Sequence, residues 1–549
     1  MTWRESGFPL AIKLGVLVAA ILAAFGRVVS FDFVRWDDDI NITQNPLLTA
    51  PWSWELLARL FESDQAMRFK PLHWLLDLAV HRLFGFDPRA WHALNLVLHA
   101  LAAGLFFVVL RRIFQRQGGV LAGLAGERVA WLGAALWALH PLRAEPVAWA
   151  TASTYPFTAV WLLASFACYV EAVGFGRGRR WLAASWLGAV AAYASYPVGL
   201  SYAFFLVAAD EWLRAVRQRD GAADAVGAWR IRGLRYAAFF LPAVAAAGFT
   251  LWTRYTAPGI FVAAPAINEV DAGTRGAMAL ASLVQLAGRC FWPGNMSPNL
   301  PPLALTGTTL VVVFALALVG LVGLAAAWRW RGRHPGVWLV VGGFAALSLP
   351  CLGLTERPTW PVDRYAYVVQ LPLVGGVVGG YVLLFSVGRR RAALVLLPLA
   401  LGVSAVAAYR QAGIWRNSGT LFAHLEREPG FAQDPRQQAH VYALWASHEG
   451  EHGGADRARE LFGRANDVFL AAMRGAVAKG DYEEALQLSA DFSRYFSLTP
   501  SLRRERGTWL MRLGRFADAR IELSAAQAAA PDDARVAELL RAAIAETAP

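Results

Sequence analysis

Long apolar segments separated by short polar ones dominate the chain up to about residue 409. A helix needs ~20 mainly apolar residues to cross a bilayer, and about eleven segments approach that length. They centre on residues 9–29, 92–112, 129–149, 153–173, 181–195, 197–212, 236–254, 306–328, 337–354, 366–387 and 392–409. The pattern predicts an all-α, polytopic membrane domain over residues 1–409, in which the shorter segments tilt or pair across tight turns.

Basic residues lie in clusters between these segments and predict the orientation of the chain. The clusters fall on every second connection: Arg111, Arg112, Arg116 and Arg128; Arg177, Arg179 and Arg180; Arg214 through Arg235; Arg329, Arg331 and Arg333; and Arg389 through Arg391. Because positively charged loops stay in the cytoplasm, the N-terminus is predicted inside and the C-terminal region outside. The apolar stretch 276–292 would break this alternation as a span, so we expect it to re-enter or to lie on the outer face.

Composition supports a membrane protein and excludes other classes. The chain has 549 residues, of which 56% are hydrophobic, and 23 of them are tryptophan, which excludes an ordinary soluble domain. The net charge of +12 comes from the clusters between apolar segments, so it reports topology rather than nucleic-acid binding. Cys168, Cys290 and Cys351 have neither metal-ligand spacing nor a disulfide pattern. Richness in arginine and alanine points to a bacterium, which makes the predicted location the cytoplasmic (inner) membrane.

The loop between the first two spans, residues 30–91, is polar but carries amphipathic patterns. Trp52, Trp54, Leu56 and Leu60 form one of them, and leucines between residues 72 and 83 form another. These patterns predict short helices at the membrane interface with tryptophan anchors, the alternative being an ordinary folded loop.

A sequence repeat appears after about residue 410, where the composition becomes more charged. Gly480-Asp481-Tyr482-Glu483-Glu484-Ala485 recurs 34 residues later as Gly514-Arg515-Phe516-Ala517-Asp518-Ala519. This is the period of tetratricopeptide repeats, which pair helices around an aromatic and a small residue. Residues 410–549 are therefore predicted to form an extracytoplasmic α-solenoid that binds a protein, with a generic array of helical hairpins as the alternative.

Three adjacent acids, Asp37-Asp38-Asp39, begin the first outer loop directly after the first span. Transfer of a sugar to a hydroxyl needs a carboxylate near the acceptor, as a general base or as an orienting group. Repulsion between neighbouring acids would raise one pKa toward a useful range. From charge pattern alone, a solvated acidic loop is the competing interpretation.

Further polar residues flank the spans on the same predicted face. Ionisable residues at membrane depth are costly, which makes them functional candidates. The candidates are Lys70, His92, Asn95, His99, His140, Glu145, Asp363, Arg364 and Tyr365. Arg364 and Lys70 are the best partners for an anionic phosphate, whereas His92 and His99 could equally be hydrogen bonds between helices. A divalent metal on Asp37, Asp38, His140 and Glu145 is conceivable, but no compact ligand spacing supports it, and no cofactor is assigned.

An ordered series of short motifs covers most of the chain. It comprises Trp36-Asp37-Asp38-Asp39, Asn45-Pro46, Lys70-Pro71-Leu72, the stretches 92–99 and 138–149, Asp363-Arg364-Tyr365-Ala366-Tyr367, and Trp415 through Leu421. Taken with the repeat tail, the series resembles the transmembrane and tetratricopeptide-repeat O-mannosyltransferases and their bacterial relatives, which have the GT-C glycosyltransferase fold.

The resemblance implies an inverting glycosyltransferase that uses a polyprenyl-phosphate sugar, with mannose as the first candidate, and a protein or other hydroxyl acceptor on the outer face. It implies that the catalytic base is an aspartate of the first outer loop, which by motif match is Asp37 or Asp38, while Asp39 is a neighbour. His140, Glu145, His92, Asn95 and Tyr365 are carried as further site candidates.

Two departures from that family keep another class of function open. The relatives usually carry an Arg-Lys-Asp run after the tryptophan that corresponds to Trp149, whereas residues 150–156 here are uncharged, and Tyr196 stands where they tend to have lysine. The alternative is therefore a catalytically inactive membrane scaffold whose repeat domain assembles a partner complex. A transporter is less well supported, because matching halves with interrupted helices are not found.

Overall fold

The protein is described by a computed structural model that covers residues 9–61, 69–118, 124–221, 228–256, 271–294, 296–298, 307–353, 362–386, 390–428 and 430–547. All regular structure in these ranges is helical, which confirms the all-α prediction. The chain forms two compact units, Met1–Asn417 and Ser418–Pro549, named here the membrane unit and the C-terminal unit. The sequence placed this boundary at residue 410, but a helix that begins at Arg390 continues to Ala412.

The membrane unit contains sixteen α-helices in the part of the chain that is described. They are α1 Leu10–Phe25, α2 Pro46–Thr49, α3 Trp54–Arg59, α4 Pro71–Phe84, α5 Pro88–Gln117, α6 Leu124–Ala138, α7 Ala144–Ala148, α8 Thr154–Tyr169, α9 Arg179–Tyr193, α10 Tyr202–Arg219, α11 Ala228–Thr256, α12 Ala272–Phe291, α13 Gly307–Arg329, α14 Pro335–Ser348, α15 Ala366–Ser386 and α16 Arg390–Ala412.

Within the described ranges, six helical segments are long and apolar enough to cross a membrane, as expected of a multi-pass membrane protein. They are Leu10–Ser30, Pro88–Gln117, Ala150–Gly174, Trp229–Trp252, Leu310–Arg329 and Asp363–Val382, with Pro335–Cys351 as a shorter apolar helix. The other predicted spans also contain helices, but the total of eleven and the orientation stay predictions. Parts of the predicted outer loops 255–305 and 355–365 lie outside the described residues.

The predicted span 129–149 is a continuous helix only in its first part. Helix α6 ends at Ala138 and is followed by a 3-10 helix, Pro141–Arg143, and by the short α7. Proline lacks the N–H that an α-helix needs in its interior, so Pro141 begins a new element instead of extending the old one. The polar residues of this stretch therefore lie on a connection between helices rather than inside a span.

Helix α5 lies at the centre of the membrane unit and packs against α1, α6 and α8. Its predicted polar stripe, His92, Asn95 and His99, is buried. His99 lies 2.7 Å from the hydroxyl of Tyr367 and 3.1 Å from the carbonyl oxygen of Ala138. It thereby joins α5 to the end of α6 and the beginning of α15, which makes a hydrogen bond between helices the better interpretation of this histidine.

The first outer loop contains the short helices that the amphipathic pattern predicted. Helices α2, α3 and α4 enclose a small core that includes Leu48, Trp74 and Trp91. Trp52 and Trp54 remain exposed, as anchors at a membrane interface require. The loop is thus a folded layer with its own core at the end of the first span.

The C-terminal unit is built from successive helices, each of which packs against the next. They are α17 Ser418–Glu426, α18 Pro435–Glu451, α19 Ala455–Ala478, α20 Tyr482–Phe492, α21 Pro500–Arg512, α22 Phe516–Ala529 and α23 Ala534–Ala545. Gly480 and Gly514 both have φ above +70°, which glycine adopts without strain, and each precedes a helix whose Ala485 or Ala519 is fully buried. The 34-residue spacing therefore corresponds to a repeated helical hairpin, while its assignment to tetratricopeptide repeats stays a prediction.

Candidate functional site

Asp38 is fully buried and holds the first outer loop against the segment that follows Trp149. Its Oδ2 accepts a hydrogen bond from the Val34 amide at 2.9 Å. Its Oδ1 accepts from the Thr151 amide at 3.0 Å and from the Thr151 hydroxyl at 2.6 Å. Because both carboxylate oxygens are occupied by donors, Asp38 is suited to fixing the loop rather than to contacting a ligand.

Asp37 differs from Asp38 in both exposure and backbone conformation. Its side chain is exposed, and its φ of 75° is the only positive value among the described non-glycine residues. A positive φ is uncommon in residues other than glycine. Strained backbone of this kind clusters at functional sites. The Asp37 carbonyl accepts hydrogen bonds from the Asn41 amide at 2.8 Å and from the Asn41 side chain at 3.0 Å. The turn therefore presents the Asp37 carboxylate outward while Asp38 anchors the loop inward.

Burial raises the pKa of Asp38 from its ordinary value of 3.8 to about 7. The hydrogen bonds from Thr151 and Val34 oppose this rise, and the charge of Asp37 adds a small increase. Between pH ~4 and ~7 the unfolded chain releases this proton while the folded chain keeps it, so folding stability falls as the pH rises through this window.

We expect the wild-type protein to lose up to about 4 kcal/mol of stability from this group across that window. The measurement is thermal unfolding of the purified protein in detergent at pH 4 and pH 8. Asp38→Asn removes the titrating group and should flatten the dependence, whereas Asp39→Asn should leave it as in wild type. An equal pH dependence in wild type and Asp38→Asn would contradict the expectation.

Glu145 and Arg364 form a largely buried ion pair that the sequence did not predict as a pair. The Arg364 Nη1 atom lies 2.5 Å from Glu145 Oε1, and the Arg364 backbone amide donates to Glu145 Oε2 at 3.0 Å. The neighbouring Asp363 is buried and is held by Arg289 of α12, whose Nε lies 2.8 Å from Asp363 Oδ1. The predicted outer-face stretch 276–292 thus supplies a cation to this site.

Trp149 connects the acidic loop to this ion pair. The Arg364 guanidinium carbon lies 5.3 Å from the centre of the Trp149 ring, and the other Trp149 neighbours include Trp415, stacked at 5.3 Å between ring centres. The carbonyl oxygen of Trp149 accepts a hydrogen bond from Asn95 at 2.7 Å. Since Thr151 follows two residues later and binds Asp38, a chain of buried contacts links Asp38 to the Glu145–Arg364 pair.

Lys70 lies at the beginning of α4 and is buried, with its Nζ 3.7 Å from the centre of the Trp74 ring. One turn further, His73 bridges Asp77 and Ser153, with Nδ1 at 2.9 Å from the Asp77 carboxylate and Nε2 at 2.8 Å from the Ser153 hydroxyl. Burial lowers the pKa of His73. The uncharged stretch 150–156 is therefore engaged through its hydroxyl groups, which the sequence did not indicate.

The remaining candidates have positions that differ in character. His140 begins the 3-10 helix Pro141–Arg143, and its Nδ1 accepts a hydrogen bond from the Leu142 amide at 3.3 Å. His92 lies 3.3 Å from the carbonyl oxygen of Asp32 and thus contacts the chain that leads into the acidic loop. Tyr365 lies beside Arg364, with 5.8 Å from its ring centre to the guanidinium carbon. Of these three residues, only Tyr365 lines the apolar groove described below.

Arg143 is a buried residue that the sequence pattern did not single out as a candidate. It is fully buried and donates hydrogen bonds to the carbonyl oxygens of Tyr367 at 2.9 Å and Ala366 at 3.1 Å, and to the side chain of Gln370 at 2.7 Å. These contacts fix the first turn of α15 and therefore the adjoining Arg364. A lone arginine in an apolar stretch was the signal that could have identified it.

An apolar groove of about 390 Å³ opens next to Tyr365. It is lined by residues of α10, α11 and the turns before α10 and after α14, including Tyr196, Pro197, Phe204, Phe240, Thr250, Leu349 and Tyr365. The ring of the buried Tyr155 lies beside two of the lining tyrosines, with its centre 5.1 Å from that of Tyr196 and 6.3 Å from that of Tyr365. The site thus combines exposed and buried carboxylates, an arginine and a lipid-compatible groove in one region of the membrane unit.

Among the residues that the structure describes, His, Cys, Asp and Glu side chains do not converge in groups of three or more that could hold a metal ion. The fold is all-α, with several helices able to span a membrane, and is consistent with a multi-pass membrane protein. Its polar site lies beside an apolar groove. Comparisons with protein-family models, with curated proteins and with solved structures find no match for this chain.

Proposed function

We propose that the chain is an integral-membrane glycosyltransferase of the GT-C class, which transfers a sugar from a polyprenyl phosphate to a hydroxyl acceptor at the outer face. The observation that carries the proposal is the turn at Asp37, where a left-handed backbone presents an exposed carboxylate while its neighbour Asp38 is locked by three donors. Backbone strain of this kind is retained where the surrounding structure has a use for the geometry.

In this proposal Asp37 is the base and Asp38 is a positioning residue. The Asp37 carboxylate takes the proton of the acceptor hydroxyl as the acceptor oxygen bonds to the anomeric carbon, and the bond from that carbon to the phosphate oxygen breaks. Polyprenyl phosphate leaves with the electron pair, and the configuration inverts. Asp38 acts through the backbone, because Val34 and Thr151 occupy its oxygens.

The donor would lie with its isoprenoid chain in the groove and its phosphate near Arg364. Tyr365 lines the groove and is next to Arg364 in sequence, and a guanidinium suits a phosphate because it donates from a planar fork. Binding would require the phosphate to share or replace Glu145 as the partner of Arg364. Lys70 is a second cation in the proposal, and the C-terminal unit is the proposed binding surface for an acceptor protein.

The direct test is transfer from radiolabelled polyprenyl-phosphate mannose by the purified full-length protein in vesicles, with membrane proteins of the source cell or a serine- and threonine-rich peptide as acceptor. We expect label in the acceptor that depends on the protein and on the donor. Polyprenyl-phosphate glucose serves as the second donor, because the sugar is an inference from the resemblance. Failure with both donors, together with no saturable binding of either lipid, would overturn the proposal.

Two observations favour the alternative of an inactive scaffold. The Arg364 guanidinium already has a carboxylate partner at 2.5 Å, and residues 150–156 supply hydroxyl groups where the resembling family carries charges. A scaffold would keep this polar network as a structural element. It predicts co-purification of one fixed partner through residues 418–549 in the absence of donor binding, and deletion of that unit would release the partner.

A further inference from the structure

A second cavity, of about 650 Å³, lies in the membrane unit between α5, α8, α10, α14 and α15. We call it the inner cavity. Its walls are almost entirely apolar and include Phe106, Leu110, Leu163, Phe166, Phe205, Leu339 and Leu371. A cavity of this size and character suits an apolar occupant better than water, because water would find few hydrogen-bonding partners on its walls.

The inner cavity is elongated along α15. Its lining on that helix runs from Val368 to Val382, a separation of 382 − 368 = 14 residues, or ~21 Å of helix. That is roughly two thirds of the ~30 Å hydrocarbon core of a bilayer. Gly379 and Gly380 lie toward one end, and a Cβ atom added to either would meet no atom within 4 Å. The space is therefore long enough for an extended stretch of hydrocarbon chain, and it is open beside Gly379 and Gly380.

One end of the inner cavity is polar and positively charged. Arg219 at the end of α10 and Arg333 just before α14 line it, together with Gln117 and His334. The Arg219 guanidinium donates to the Gln117 carbonyl oxygen at 2.5 Å, at the last residue of α5, and lies 3.4 Å from the Asp220 carboxylate. Asp220 also pairs with Arg116 at 2.5 Å, so this end keeps a net positive charge. Arg333 is exposed, and no ion pair joins it to the described residues.

This charged end is at the far end of α5 from the Asp38 site. Asn95, which holds Trp149, and Gln117 are 117 − 95 = 22 residues apart on one continuous helix, which corresponds to ~33 Å. That distance is about the thickness of the hydrocarbon core. The inner cavity thus has its cations at the opposite membrane boundary, where the topology predicts the cytoplasm.

We propose that the inner cavity is a binding site for an anionic phospholipid of the bilayer. One acyl chain occupies the apolar space along α15, and the phosphate headgroup lies at Arg219 and Arg333. The long apolar inner cavity, with two arginines at its membrane boundary, matches a lipid chain joined to a negatively charged headgroup. Glycine at 379 and 380 leaves room for the chain. This site is separate from the proposed transfer site and does not depend on it.

The test is lipid binding to the purified full-length protein, measured by native mass spectrometry with phosphatidylglycerol and phosphatidylcholine of identical acyl chains. We expect one phosphatidylglycerol to bind at least about tenfold more tightly than phosphatidylcholine, since each arginine near a headgroup contributes on the order of 1 kcal/mol. Arg219→Ala/Arg333→Ala should remove that preference. Gly379→Leu should weaken binding of both lipids because it fills the channel.

Matched variants separate these effects from general damage. Arg180→Ala removes an exposed cation of α9 that does not line the inner cavity. Gly320→Leu enlarges a glycine of α13 whose Cβ also meets no atom within 4 Å. Both should bind phosphatidylglycerol as wild type does. Equal affinity for the two lipids, or unchanged binding in Gly379→Leu, would overturn the proposal, and so would tighter binding of polyprenyl phosphate that phosphatidylglycerol fails to displace.

Discussion

Replacing Asp37 by asparagine is expected to lower sugar transfer by ~10²-fold or more, the range that loss of a general base produces. Asparagine is the informative substitution because it keeps the size of the side chain and tolerates the left-handed backbone that Asp37 adopts at φ 75°. The loss should therefore be chemical rather than conformational. The measurement is the initial rate of transfer from polyprenyl-phosphate mannose in vesicles, with donor binding measured in parallel.

The neighbouring acids provide the controls for this experiment. Asp39→Asn makes the same carboxylate-to-amide change at an adjacent residue and should retain sugar transfer. Asp38→Asn should lower transfer by loosening the loop, with a changed pH profile, because its hydrogen bonds to Val34 and Thr151 depend on the carboxylate. Transfer at the wild-type rate in Asp37→Asn would remove Asp37 as the base, and loss in all three variants alike would indicate a structural role for the loop.

Breaking the Glu145–Arg364 pair is expected to destabilise the membrane unit by about 3 kcal/mol or more. Glu145→Leu leaves the Arg364 guanidinium without its carboxylate in a site where only 16% of the arginine side chain is exposed. Arg364→Met leaves Glu145 in the same position, with its side chain 5% exposed. Because replacement of both charges by apolar groups removes the uncompensated charge, Glu145→Leu/Arg364→Met should recover much of the lost stability. Chemical denaturation in detergent measures all three variants.

Glu483→Ala is the matched control for a carboxylate in a different setting. Glu483 and Arg515 lie 3.7 Å apart with about half of each side chain exposed, so that variant should change stability little. If the two single losses at Glu145 and Arg364 simply add in the double variant, the pair is not the unit of stability. The double variant also separates the structural role of the pair from phosphate binding. It should be folded, yet it lacks the arginine at position 364 that would bind the phosphate.

Local patterns predicted most of the helices correctly. The first span was predicted at 9–29 and the candidate spanning segment is Leu10–Ser30, since apolar length and composition are properties of one stretch of chain. The same local rule placed the end of the segment 129–149 too late, since the helix ends at Ala138, because hydropathy alone does not register that Pro141 interrupts hydrogen bonding within a helix. The hairpins around Gly480 and Gly514 followed from a turn residue and a period, which are also local features.

The site was predicted less completely, because its geometry joins distant parts of the chain. The motif series selected Asp37, Asp38, Glu145 and Arg364 one by one, but which of them pair depended on packing. Thr151 was passed over as an uncharged residue, yet its amide and hydroxyl hold Asp38. A hydroxyl group carries no pattern in the sequence that distinguishes a ligand of a buried carboxylate from an ordinary threonine.

The sequence by itself determined that this protein is helical and rich in membrane-length apolar segments, with a repeated helical tail, because these follow from short-range spacing of side chains. Only the tertiary structure decided that Asp37 is exposed while Asp38 is buried, and that Glu145 pairs with Arg364 across 219 residues. The physical reason is that a buried charge must find donors or a counter-charge, and packing of helices far apart in the chain decides which groups are within reach.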